Sequence, residues 1–170
     1  MKVHVPGRFW ALGDDVDTDV LFPGKFMTLK SASRDATLKG LEAIAPEVAA
    51  NLGAGDALVA GRNFGCGSSR EYAAAALKDL GVAIVVARSF ARIFYRNAIN
   101  VGLPVMELDD FPLPHEGPFE IALDAGEIVH VPSGARVQGR AVPEVALDIL
   151  RRGGLMEVIK QEIASRGVTV

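Results

Sequence analysis

Hydrophobic and polar positions fall into short blocks along the chain, separated by glycine and proline. RFWAL (8–12) predicts a strand, and GDDVDTDVLFPG after it reads as a loop punctuated by Pro23-Gly24. Residues 35–52 carry helical spacing broken at Pro46, which predicts two short helices ending at Gly53. DALVAG (56–61) predicts a strand, and a helix is expected from about Ser69 to Leu80, with Gly81 as a left-handed terminator. VAIVVA (82–87) is a continuous Val-rich run bracketed by helices, the mark of a fully buried parallel strand. A second helix follows from about Phe90 to Asn100, closed by Gly102 and Pro104, and LPVMEL begins another strand.

The pattern then changes. FEIALD, EIVHV and ARVQGR read as short strands joined by tight turns. The tail returns to helix, with Pro143 near a first turn and Gly153-Gly154 dividing two segments. Alternating strands and helices imply a parallel sheet, and the later strands add an antiparallel portion, so the class is mixed α/β.

A length of 170 residues fits one domain (1–170), and 49% hydrophobic content is enough to fill its core. A net charge of −3 argues against nucleic acid as a partner. The single Cys excludes an intrachain disulfide framework, and also a metal or iron–sulfur site built only from this chain's thiolates. MKVHVPGRFW lacks the apolar stretch of a signal peptide, and VAIVVA is far too short to span a bilayer. A cytoplasmic protein that engages no membrane is expected.

The candidate chemistry is concentrated in GRNFGCGSSREYAAAALKDL (61–80). Ser68 and Glu71 fit the S-x-x-E capping box, and Ala73, Ala76, Leu77 and Leu80 share one helical face. Capping leaves Gly65, Gly67 and Arg70 unexplained. Free backbone N–H groups, the positive end of a helix dipole and a guanidinium fork together suit an anion. A tight strand-to-helix turn with an ordinary cap is the competing reading. The stretch lacks the third Gly of a dinucleotide fingerprint, the Lys-Ser/Thr of a P-loop and the spacing of a nucleophile elbow, so a small carboxylate fits best. Cys66 reads as a small, partly buried loop residue, and His130, in an alternating strand, as a surface or packing residue.

Asp15, Asp17 and Asp19 alternate in the acidic loop, but Val20 and Phe26 stand where a calcium loop needs Gly and Glu. They are either solvated turn residues or include one that orients a catalytic group. Arg88, Arg92 and Arg96 recur every four residues, as a solvated ridge, as partners of Asp, or as a docking face for an acidic surface.

Three stretches, DDVDTDVLFPGKF (14–26), GRNFGCGSSREYAAAALKDLG (61–81) and ARSFARIFYRNAINVGLPV (87–105), together with the tail LDILRRGGLMEVIK, resemble the small subunit of isopropylmalate isomerase (3-isopropylmalate dehydratase) in the aconitase superfamily. Homoaconitase small subunits are very similar. The resemblance implies a three-layer β/β/α swivelling domain with mixed sheet. It implies half of a hydro-lyase, whose large subunit holds a [4Fe-4S] cluster and which moves a hydroxyl between adjacent carbons by dehydration and rehydration. By position, Ser68 resembles the family's catalytic base. Ser69 and Arg70 resemble its carboxylate binders, and Asp19 its supporting Asp, with Asp17 and Thr18 as weaker candidates.

Phe26-Met27-Thr28-Leu29 resembles the specificity segment, typically Tyr-Leu-Val-Met in isopropylmalate enzymes and carrying an Arg in homoaconitases. Thr28 stands at the Arg position, apolar neighbours suit an isopropyl group, and Lys30 leaves a longer dicarboxylate open. The alternatives are the same chemistry on homocitrate/homoaconitate, citramalate/citraconate or dimethylmalate, and a carboxylate-binding or regulatory module without chemistry.

Overall fold

The computed structural model describes residues 1–23, 34–67 and 71–165. Its strands divide into two four-stranded sheets. One is wholly parallel and its strands lie side by side in chain order: β2 (Phe9–Ala11), β3 (Ala57–Ala60), β4 (Val85–Ala87) and β5 (Val105–Glu107). The other is wholly antiparallel and has the order β1-β6-β7-β8, with β1 at Lys2–Val5, β6 at Phe119–Ala122, β7 at Glu127–His130 and β8 at Arg136–Gln138. The mixture of directions expected from the sequence is therefore a mixture between sheets. The N-terminal strand β1 was not anticipated.

Burial explains the two kinds of strand. Val85, Val86 and Ala87 are all fully buried, as a strand covered on both faces requires. In β6, Phe119 and Ile121 are buried while Glu120 between them is exposed, the alternation of a sheet with one wet face.

Helices occupy the parallel crossovers. α1 (Thr18–Leu21), α2 (Arg34–Glu42) and α3 (Pro46–Asn51) join β2 to β3, α4 (Tyr72–Asp79) joins β3 to β4, and α5 (Arg92–Val101) joins β4 to β5. A sheet wound in chain order by right-handed crossovers carries its helices on one face. Consistently, α4 touches α1, α2 and α5. The predicted apolar face of α4 is buried at Ala73, Ala76 and Leu77, with Leu80 just beyond the helix. Its small residues let the helix sit close to its neighbours. Gly81 and Gly102 follow α4 and α5 in the left-handed conformation, as predicted.

The two sheets share one core. Phe9 of β2 meets Phe119 of β6 edge-to-face at 4.9 Å, and Phe111 stands 4.6 Å from Phe9. His130 is buried against Phe119, with Nδ1 bonded to Ser133 Oγ and Nε2 to the Glu116 carbonyl, so it is a packing residue. The tail forms α6 (Glu144–Arg151) and α7 (Leu155–Ser165), both of which contact α5.

Boundaries differ from expectation at β4, which covers only Val85–Ala87 of the run 82–87, in the acidic loop and at α5. The acidic loop contains α1, started by Asp17 as N-cap. α5 begins at Arg92 because Phe90 still bridges to Phe64 and the Ala91 N–H donates to the Phe64 carbonyl. Arg88 thus precedes the helix, its N–H on the Gly61 carbonyl and its guanidinium 3.6 Å from Asp110.

Candidate active site at the ends of parallel strands

The acidic loop and the Gly-rich loop leave the C-terminal ends of β2 and β3, which are paired neighbours. Open α/β sheets bind ligands beyond this end of their strands. Here the two loops continue the parallel ladder past the sheet. The Gly61 N–H donates to Gly13 O at 3.1 Å, Asp15 N–H to Arg62 O at 2.8 Å, Gly65 N–H to Val16 O at 2.8 Å, and Thr18 N–H to Cys66 O at 2.8 Å. Carboxylates reinforce it: Asp14 accepts from the Arg62 N–H at 2.7 Å, and Asp15 accepts from the Asn63 side-chain amide at 2.8 Å. Asp15 and Asn63 both take positive φ, which short polar side chains tolerate best. On the other side, the Phe64 N–H donates to Ser89 O and the Asn63 N–H to Ser89 Oγ. The Gly-rich loop is held between two neighbouring connections.

Its glycines are sterically required. Gly65 has φ +79° and a Cβ there would lie 2.2 Å from the Phe94 ring. Gly67 has φ +94°, and a Cβ would lie 2.3 Å from Asp17 Oδ1. Asp17 therefore does two jobs. Its carboxylate accepts the Asp19 N–H at 2.7 Å, capping α1, and it packs on the last described residue before Ser68. Asp19 sits in the first turn of α1 with its side chain exposed, and Thr18 is buried.

Of the predicted site residues, the described structure brings Asp17 and Thr18 against the Gly-rich loop, while Asp19 is exposed beside them and donates its N–H to Asp17. Ser68, Ser69, Arg70, Phe26, Met27, Thr28, Leu29 and Lys30 lie outside the described residues, as do the predicted cap of α4 at Ser68 and the helix start at Ser69. Described α4 begins at Tyr72, and Glu71 before it makes no side-chain cap bond. The Tyr72 ring stacks on Phe22 at 5.9 Å. This contact joins the residue before Pro23-Gly24 to the first turn of α4. Sequence reasoning missed the roles of Asp14, Asn63, Phe22 and Tyr72. Only Asn63 carried a signal, as a residue type suited to positive φ.

Cys66 is partly buried. Burial, and then the negative charges of Asp17 and Asp15, push its thiol pKa up. Beside it, Gly65, Gly67, Ala91, Arg92, Ile93 and Arg96 line a cavity of about 550 Å³. Among the described residues, no group of three or more His, Cys, Asp or Glu is arranged to hold a metal ion.

Residues 49–110, which carry the Gly-rich loop and its helix, match the aconitase C-terminal domain family. The chain is 44% identical over 165 residues to the 3-isopropylmalate dehydratase small subunit 1 of Methanopyrus kandleri, covering 95% of this chain and 96% of that one. The chain belongs to the 3-isopropylmalate dehydratase small-subunit family.

Other members agree. The 3-isopropylmalate dehydratase small subunit of Aquifex aeolicus is 40% identical over 98% of this chain and all of its own length. The isopropylmalate/citramalate isomerase small subunit of Methanocaldococcus jannaschii is 40% identical over 96% of this chain and 98% of its own. The crystal structure of a 3-isopropylmalate dehydratase from that organism superposes with a TM-score of 0.83 at 37% identity, covering 98% of both chains. The family assignment and the aconitase-type β/β/α fold expected from the motifs are both borne out.

Proposed function

We propose that this chain is the small subunit of a heteromeric cytoplasmic hydro-lyase that converts 2-isopropylmalate to 3-isopropylmalate, in leucine biosynthesis. It acts only with a large subunit that holds a [4Fe-4S] cluster. The observation that carries the reading is the ladder joining residues 13–18 to 61–67, which seats the Asp17 carboxylate against Gly67, immediately before Ser68-Ser69-Arg70.

The residues of this chain suit a position opposite such a cluster, not a place around it. The one thiol is pushed away from the thiolate that ligation needs. When bound in the large subunit, the cluster supplies a Lewis acid for the hydroxyl that departs. The small subunit supplies the rest. The Ser68 alkoxide takes the proton from the carbon α to a carboxylate, and the enoate that forms is rehydrated on the adjacent carbon. Such an alkoxide needs positive potential, and Arg70 provides it. The Ser69 hydroxyl and the Arg70 fork hold a substrate carboxylate. Asp17 positions the loop, and Asp19 supports the hydrogen-bond network.

In this reading Phe26, Met27 and Leu29 serve the substrate's isopropyl group, and Thr28 in place of Arg omits the cation that a third carboxylate asks for. Citramalate is the second substrate to consider, because one relative is named an isopropylmalate/citramalate isomerase subunit. An apolar pocket separates substrates that differ by a methylene only about 10- to 200-fold. Ser68→Ala in the reconstituted enzyme is expected to lower kcat by at least roughly a hundredfold while circular dichroism stays unchanged. A rate close to wild type would leave Ser68 with a purely structural role.

A further inference from the structure

Nine arginines have described side chains, and six of them lie within ion-pair distance of a carboxylate. The other three are Arg62, Arg92 and Arg96. Among the described residues none of these guanidinium groups has an ion-pair partner, and residues 24–33, 68–70 and 166–170 contain no Asp or Glu side chain to provide one. Arg62 is in the Gly-rich loop. Arg92 and Arg96, one turn apart on α5, line the cavity of about 550 Å³ whose other wall is Gly65 and Gly67. Between them Ile93 is 45% exposed.

In a chain of net charge −3, unpaired cations at one place are not an overflow of base. The other arginines with described side chains, outside the Gly-rich loop, are paired with carboxylates. This face instead offers two cations about an apolar side chain and a recess beside them, a combination that suits a protein surface with carboxylates around an apolar residue. A stripe tracking a phosphate backbone would need more cations and no exposed isoleucine.

We propose that Arg92, Ile93 and Arg96 form the docking face for the large subunit, which inserts an acidic, apolar-centred segment into the recess beside the Gly-rich loop. This rests on the small-subunit reading above. It adds that α5 holds the partner while Ser68-Ser69-Arg70 handle substrate. The separation has a mechanical sense: Gly65 packs on Phe94 of α5, so a partner held by α5 is registered directly against the catalytic loop.

The test is anaerobic calorimetry of the cluster-loaded large subunit with wild type, Arg92→Gln/Arg96→Gln and Arg92→Glu/Arg96→Glu. Neutralisation is expected to weaken association at least about tenfold and to flatten its salt dependence, and charge reversal to weaken it further. At saturating small subunit, kcat and KM for 2-isopropylmalate should stay at wild-type values. Should the Glu variant fail to fold, the Gln variant decides. Unchanged affinity in a variant when wild type binds overturns the docking face alone, and so does unchanged affinity with a raised KM, which would make the arginines substrate ligands. A wild-type chain that binds no large subunit overturns the small-subunit reading itself.

Discussion

At the scale of single residues, Asp17 connects the acidic loop to the Gly-rich loop. It caps α1, fills the space a side chain at position 67 would need, and raises the Cys66 thiol pKa. These effects can be separated. Asp17→Ala removes the cap and should lower stability by about 1 kcal/mol in urea unfolding. Asp17→Asn keeps the shape but removes the charge. Because burial is the largest cause of the Cys66 shift, wild type should react with iodoacetamide only at higher pH than free cysteine does. The Asn variant should move part of the way back. A wild-type profile that coincides with that of free cysteine would contradict the assigned environment.

At the scale of elements, residues 61–67 of the Gly-rich loop are held by hydrogen bonds to neighbours on both sides. Gly65 is the sharpest test. Gly65→Ala forces a side chain at φ +79° into the Phe94 ring, so the loop or α5 must move. A stability loss of about 1–3 kcal/mol is expected, together with a fall in kcat of the assembled enzyme. Unchanged stability would mean that loop and helix are not packed as described. Elements of this kind were legible where the signal is local. Pro46, Gly81 and Gly102 each specify their own backbone and do what their residue types predict, and VAIVVA supplies a buried strand over its second half, Val85–Ala87. α1, four residues long, is too short to show a helical period, and β1 is four residues whose partner, β6, lies more than a hundred positions away. The division into two sheets and the pairing of residues 13–18 with 61–67 are also non-local, so composition and spacing could not reveal them. Candidate site residues could be named from motifs, Asp17 and Asp19 from DTD. That Asp17 packs on Gly67 could be known only from coordinates.

At the scale of the whole molecule, the arginines of this acidic chain that lack an ion-pair partner among the described residues include Arg92 and Arg96, beside the Gly-rich loop. One cysteine cannot ligate a [4Fe-4S] cluster through thiolates alone, so the proposal places the cluster in a second subunit. Among the described residues, no helix is long and apolar enough to cross a membrane. The measurement that bears most directly on the proposal is turnover after anaerobic reconstitution with the cluster-loaded large subunit, on a panel of 2-isopropylmalate, citramalate, dimethylmalate and homocitrate. Turnover is expected only when both subunits are present, with the highest kcat/KM for 2-isopropylmalate and the lowest for homocitrate, since the family resemblance puts Thr28 where homoaconitases carry an Arg. A chain that binds one of these carboxylates alone, yet gives no turnover with the loaded partner, would contradict the proposal and make the Gly-rich loop a binding site without chemistry.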